Sequence, residues 1–166
     1  MKLSAQDRQR LAAVRLLVCD VDGTLTDGAM WYGAEGEVLK RFSTRDGNGI
    51  GLLLGAGITV AFVTAEDTPI VTARAAKLGV VHVVLGCADK GDAVRKLREQ
   101  LDVQRDEVAF IGDDLGDLSG FVESGLRVAV GDAVDQVRAA ADLVCQHPGG
   151  HGAVRELSDA ILAARS

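Results

Sequence analysis

Short apolar runs recur along the chain, and helix-like stretches separate them. RLLVC at Arg15–Cys19, ITVAFVT at Ile58–Thr64, VVHVVL at Val80–Leu85 and VAFI at Val108–Ile111 are near-continuous, and shorter runs follow at Arg127–Val130 and Leu143–Cys145. A strand apolar on both faces must be covered on both faces, and strands alternating with helices meet that need as a parallel sheet between helical layers. The helical signals lie where this requires. Thr68 before Pro69 is an N-cap followed by a first-turn proline, with Gly79 as the stop; Asp89 caps a helix reaching about Leu101. Gly49–Ala56 reads as a short helix ended by Gly57, and Leu115–Ser124 and Ala153–Ala164 as further helices. The N-terminal MKLSAQDRQRLAAV is polar and helix-like. Residues 26–42 break the pattern: Met30–Tyr32 and Val38–Phe42, separated by GAEGE, predict a β-hairpin after the first strand.

In open parallel sheets, ligands bind beyond the carboxyl ends of the strands. The polar motifs fall there: Asp20 and Asp22 after the first run, Thr64 after the second, Asp113 and Asp114 after Val108–Ile111. One such residue is an ordinary turn residue, but recurrence at successive strand ends points to a site. With 18 Lys and Arg against 24 Asp and Glu, net charge −6 and 4% aromatics, the chain has neither a basic stripe nor a stacking platform, which argues against nucleic acid as a partner. Cys19, Cys87 and Cys145 are far apart in apolar runs and read as buried thiols of a reducing compartment. No apolar run has the length of a membrane span and the N-terminus lacks an apolar signal region, so a cytoplasmic protein with no membrane partner is expected.

Asp20-x-Asp22-x-Thr24 sets two carboxylates close together, and a cation, a shared proton or solvent must offset their repulsion. Taken with Thr64, Lys90 and GDDLGD at Gly112–Asp117, in that order, the motif resembles the haloacid-dehalogenase-type phosphotransferase superfamily over the whole chain. The chemistry agrees with the resemblance. A carboxylate attacking a phosphate ester meets an anionic electrophile, and a divalent cation removes that barrier. Oxygen-only ligands favour Mg²⁺, with Asp20 and Asp113 as natural side-chain ligands; the resemblance adds the backbone carbonyl of Asp22. It implies that Asp20 is the nucleophile, forming an aspartyl-phosphate, and that Asp22 protonates the leaving alcohol and then activates water. Related ATPases typically carry threonine at the position of Asp22, so aspartate there points to a phosphatase or phosphomutase. Thr64 and Lys90 would hold the transferring phosphoryl oxygens. Lys90 also reads as a surface lysine, but a cation in a first helical turn opposes the helix dipole. Asp114 and Asp117 are second-rank site residues or helix caps, with capping the simpler account of Asp114.

The resemblance implies a Rossmann-like, HAD-like α/β fold in a single domain, 1–166. A hairpin, a helix and a strand fill the stretch from Asp20 to Thr64, and one helix and one strand the stretch from Thr64 to Lys90, which leaves no room for a cap domain. An open site takes a large substrate or is closed by neighbouring subunits. DVDGTLTDG, FSTRDGNGI at Phe42–Ile50, GDDLGD and GGHGAVRE at Gly149–Glu156 are similar to the capless sugar-acid phosphatases. That family includes 3-deoxy-D-manno-octulosonate 8-phosphate and 2-keto-3-deoxynononate 9-phosphate phosphatases, and its members assemble as tetramers through the hairpin. The octulosonate enzymes usually carry TGR after the second strand; here Thr64-Ala65-Glu66 stands instead, as in the nononate enzymes. In those enzymes the next helix lends an arginine and a lysine to a neighbour's site, and Arg74 and Lys77 match them, although spacing alone reads as a solvated basic edge. The resemblance therefore favours a nononate 9-phosphate substrate, a homotetramer, and Glu66, Arg74, Lys77 and Arg45 at the substrate. Octulosonate 8-phosphate is the alternative substrate, and a non-catalytic tetramerisation domain, as in some acylneuraminate cytidylyltransferase tails, the alternative role. Arg45 and Asp46 line the site or cap a helix, and Arg155 approaches substrate or stays on a helix surface. His82 reads as structural, and His147 and His151 lack a third partner for a metal. No long tail is expected beyond Glu156 to reach a neighbouring site.

Overall fold

In the computed structural model, which describes residues 3–166, helix α1 (Ala5–Ala13) leads into the central strand β1 (Leu16–Cys19). A two-stranded antiparallel hairpin follows, β2 (Trp31–Gly33) and β3 (Gly36–Leu39), and then α2 (Thr44–Gly55). Strands and helices next alternate: β4 (Thr59–Val63), α3 (Pro69–Leu78), β5 (His82–Val84), α4 (Lys90–Leu101), β6 (Val108–Gly112), α5 (Leu118–Val122), β7 (Leu126–Ala129), α6 (Asp135–Ala140), β8 (Leu143–Val144) and α7 (Ala153–Ala164). The six-stranded sheet runs β5-β4-β1-β6-β7-β8, and every neighbouring pair is parallel. Strand order reverses between β1 and β6, and such a switch point opens a crevice at the strands' carboxyl ends.

All four residues of β1 and all five of β6 are buried, as expected of strands covered on both faces. Phe62, Phe110, Phe121, Ile50, Leu53 and Leu157 fill the layers between sheet and helices. Among the described residues no helix is long and apolar enough to cross a membrane.

Several boundaries differ from the sequence expectation. Helix α2 begins at Thr44, ahead of Gly49, because Ser43 caps it by accepting from the amides of Arg45 and Asp46. Gly47 and Gly49 weaken the helical signal there, and they are needed for close approach. A Cβ on Gly47 would lie 2.5 Å from the Arg74 guanidinium, and one on Gly49 2.9 Å from Ser158 Oγ and 3.1 Å from Arg155 Cα on α7. The expected helix at Leu115–Ser124 is a 3₁₀ turn, Leu115–Asp117, running into α5. Helix α6 has no sequence counterpart, since Val134 supplies no side-chain cap to announce it. Cys19 and Cys145 are buried as expected, but Cys87, in the loop after β5, is only half-buried. The first hairpin strand is shifted to Trp31–Gly33 and the second to Gly36–Leu39, and Met30, Trp31, Tyr32, Val38 and Leu39 are exposed.

Candidate active site

Asp20 follows β1 directly, and its amide donates to the Ile111 carbonyl of β6 at 3.0 Å, which ties the first acidic residue to the switch point. The chain then turns tightly around the Val21 carbonyl, which accepts from the amides of Leu25 at 2.9 Å and Thr26 at 3.0 Å. Gly23 lies in this turn at φ +90°, and a Cβ there would come within 2.1 Å of Asp113 Oδ2, so both backbone and space demand glycine. Thr24 donates from Oγ1 to Asp113 Oδ1 at 3.1 Å, locking the loop after β1 to the loop after β6.

Lys90 opens α4, capped by Asp89, whose side chain accepts from the amides of Gly91 and Asp92. Its ammonium is buried between Asp20 Oδ1 at 2.5 Å and Asp117 Oδ1 at 2.6 Å. Burial works against this cation, but Asp20 and Asp117 outweigh it and hold its pKa above the ordinary value. Asp117 accepts on Oδ2 from the amides of Asp113 at 2.8 Å and Asp114 at 3.1 Å, so both its oxygens are engaged within the loop. Asp114 caps the 3₁₀ turn by accepting from the Leu115 amide at 2.7 Å. Thr64, buried at the end of β4, donates from Oγ1 to Asp22 Oδ2 at 3.2 Å and accepts from the Glu66 amide at 3.1 Å.

Asp20, Asp22, Thr64, Lys90, Asp113 and Asp117 are thus brought together in one cluster. The substrate-side candidates are not. Glu66 is exposed on the loop between β4 and α3, and Lys77 is exposed on α3. Arg74, expected to be free for a neighbouring site, is engaged within its own chain: its guanidinium donates to the Ser43 carbonyl at 3.0 Å and lies 5.4 Å from the centre of the Phe42 ring. Arg45 is exposed at the start of α2, where it lines a cavity of about 490 Å³ with His147, His151 and Arg155. Asp46 lies inside α2, which Ser43 caps, and instead joins α2 to the start of α7 by accepting from the amides of Gly152 at 3.1 Å and Arg155 at 2.8 Å. Arg155 pairs with Asp159 at 2.8 Å.

Sequence reasoning missed Lys40. It follows β3, its ammonium is buried, and it pairs with Asp22 and, at 2.9 Å, with Glu37. Nothing local marks this lysine at the end of VLK, because only the fold of the hairpin back over the loop after β1 brings it to Asp22.

Carboxylate oxygens of Asp20, Asp113 and Asp117 lie within 4.8 Å of one another. Lys90 alone does not balance them. Burial first, and then the charge of Asp117, raise the pKa of Asp20 well above the carboxylate range; the same causes push Asp113 up to about 6. An all-oxygen cluster with excess negative charge fits a hard divalent cation such as Mg²⁺. Asp117 is fully engaged by Lys90 and two amides, which leaves Asp20 and Asp113 with oxygens available to an ion.

The raised value for Asp113 has a thermodynamic consequence. Without metal, its folded pKa exceeds the ordinary 3.8, so the stability it contributes is complete below that value and is lost as pH rises through about 6. At pH 7 in EDTA, Asp113→Asn should therefore raise the melting temperature, by an amount worth at most about 3 kcal/mol. Magnesium should stabilise the wild type and not the variant. A variant less stable than wild type in EDTA, or still stabilised by magnesium, would contradict this reading of the cluster.

Comparison with known proteins shows what the chain is similar to. The haloacid dehalogenase-like hydrolase family matches residues 64–157. A curated relative from Yersinia pestis, a 3-deoxy-D-manno-octulosonate 8-phosphate phosphatase, is 44% identical over 157 residues, spanning 95% of this chain and 84% of its own. The cobalt-bound crystal structure of the Haemophilus influenzae deoxy-D-mannose-octulosonate 8-phosphate phosphatase is 43% identical, with TM-score 0.93 over 95% of this chain and 92% of that one. The Moraxella catarrhalis 3-deoxy-D-manno-octulosonate 8-phosphate phosphatase, crystallised with magnesium, phosphate and KDO, is 38% identical, with TM-score 0.91 over 95% of this chain and 91% of that one.

Proposed function

The chain belongs to the haloacid dehalogenase-like hydrolase family and is a phosphoric monoester hydrolase, and from that premise we propose that it hydrolyses 3-deoxy-D-manno-octulosonate 8-phosphate through a phosphorylated Asp20. The observation that carries the mechanism is the division of labour between the two aspartates of the loop. Asp20 is buried, with one oxygen on Lys90 and its carboxyl in hydrogen-bond contact with Asp113. Asp22 is partly open to solvent, with its oxygens held by Lys40 and Thr64.

Asp20 attacks phosphorus as the ester P–O bond breaks, and protonated Asp22 gives its proton to the departing sugar oxygen. Asp22, now a carboxylate, takes a proton from water, which attacks the phosphorus of the aspartyl-phosphate, releasing inorganic phosphate and free Asp20. Lys90 orients the nucleophile and offsets negative charge as it develops. Magnesium held by Asp20 and Asp113 would neutralise the phosphoryl oxygens that otherwise repel the attacking carboxylate.

Glu66, with Arg74 and Lys77, pointed to the nononate 9-phosphate, but relatives 41–44% identical to this chain are octulosonate 8-phosphate phosphatases, which favours the octulosonate ester. Specificity constants for the two esters test this choice. A ratio of at least tenfold toward octulosonate 8-phosphate is expected, worth about 1.4 kcal/mol of transition-state binding. Preference for the nononate ester would overturn the substrate and leave the phosphatase mechanism standing. The same reading has the open site completed in a homotetramer, assembled through the exposed apolar residues of the hairpin. Lys77, exposed on α3, is then a better donor to a neighbour's site than Arg74, which its own chain already holds.

A further inference from the structure

Burying a lysine ammonium is costly unless charged partners meet it. Lys40 is such a case: its side chain is only 1% exposed, and its ammonium bridges Asp22 Oδ1 and Glu37 Oε1. Burial opposes the cation, and the hydrogen bond to Asp22 with the ion pair to Glu37 more than compensates, so it stays charged with its pKa above the ordinary lysine value. Glu37 is itself largely covered, its side chain 9% exposed, and Oε1 contacts this ammonium. On the far side of Asp22, the Thr64 hydroxyl donates to Oδ2. Asp22 is thus gripped at one oxygen by a charge from the end of the hairpin and at the other by a hydroxyl from the end of β4, while 28% of its side chain stays open to solvent. The Lys40 side chain is almost fully covered, so it reaches the reaction through Asp22.

We propose that Lys40, anchored by Glu37, is a positioning residue that aims the Asp22 carboxyl at the leaving-group oxygen, so that the hairpin sets the geometry of proton transfer. The proposal rests on the reading of Asp22 as the proton carrier. A group that must deliver a proton gains from fixed geometry, because misplacement by a fraction of an ångström lowers the rate steeply. The role is separable from phosphoryl binding, which falls to Lys90 and the metal site.

The test uses two substrates with magnesium present. Octulosonate 8-phosphate has an alcohol leaving group that needs a proton; p-nitrophenyl phosphate has one that departs without it. Since kcat/KM reports the steps through departure of the leaving group, Lys40→Met should lower it at least tenfold for the sugar ester and less than threefold for the aryl ester, as orders of magnitude for losing part of a general acid. Lys40→Arg should recover part of the loss. Asp22→Asn should show the same selectivity, more strongly, and adding Lys40→Met to it should change neither rate by more than about twofold. Should Lys40→Met fold poorly, Lys40→Met with Glu37→Gln removes the stranded carboxylate and carries the same comparison. Equal losses on both substrates, or an additive double variant, would overturn the positioning role. An Asp22→Asn variant as fast as wild type on the sugar ester would instead overturn the reading of Asp22 beneath it.

Discussion

Asp20→Asn is expected to lower phosphate release on the order of 10⁴-fold or more without unfolding the protein. An amide oxygen is too weak a nucleophile to form the phosphorylated intermediate, and the neighbouring carboxylates are committed elsewhere: Asp117 is tied to Lys90 and to two backbone amides, and Asp113 accepts from Thr24 on one oxygen and would hold the metal with the other. The fold should tolerate the change because Asp20 is one of three crowded carboxylates, and Lys90 keeps Asp117 as a charged partner. In EDTA the variant should melt no lower than wild type, since the burial that raises the Asp20 pKa also penalises its charge. Both readouts are needed. Activity near wild type in a variant verified by mass spectrometry would eliminate covalent catalysis at Asp20, whereas lost activity with a collapsed melting temperature would leave it unsupported.

Lys90→Met should damage the protein in two ways at once. Among the described residues the ammonium is the one cation paired with Asp20 and Asp117, both almost fully buried. Removing one partner of a buried charge network costs about 3–5 kcal/mol. For a chain of this size each kcal/mol shifts the midpoint by roughly 2–4 °C. A fall of about 6–20 °C in EDTA is therefore expected, partly reversed by magnesium, which supplies positive charge to the same carboxylates. Turnover should fall about 10²–10³-fold even with magnesium, because the charge that orients Asp20 is gone. Adding Asp117→Asn to Lys90→Met should recover much of the stability and none of the rate. If Lys90→Met melts with the wild type in EDTA, the buried pairs contribute nothing to stability and this electrostatic account of the site is wrong.

What could be read from the sequence follows from how local each signal is. The alternation of buried strands and capped helices is written in short windows, so the parallel sheet and the placement of Asp20, Asp22, Thr64 and Asp113 at its carboxyl edge were legible, while Lys90 entered through the resemblance. Thr68, Asp89 and Gly79 act as caps where the sequence places them. The start of α2 was hidden because Gly47 and Gly49 look like breaks, when tight packing against Arg74 and α7 is what requires them. Asp117 was ambiguous for a related reason: a carboxylate before a short helix looks like a cap, and only the approach of α4 reveals its partner as Lys90. Lys40 could not be found at all, since its meeting with Asp22 is long-range and the hairpin carries no motif that encodes it. Arg74 shows the opposite failure: helical spacing offered it as a free cation, and Phe42 and Ser43 from the segment after the hairpin had already claimed it.

The most direct test of the covalent mechanism is to isolate the intermediate. Asp22→Asn with magnesium and p-nitrophenyl phosphate should still transfer the phosphoryl group, because that leaving group needs no proton, yet should hydrolyse the intermediate slowly, because the base is missing. Rapid acid quenching, borohydride reduction and peptide mass spectrometry should then find residue 20 converted to homoserine, the product expected of a reduced acyl phosphate, and unmodified Asp20 in the substrate-free control. A variant that releases nitrophenol in a burst while Asp20 remains unmodified, or that carries the label on another carboxylate, would contradict the mechanism.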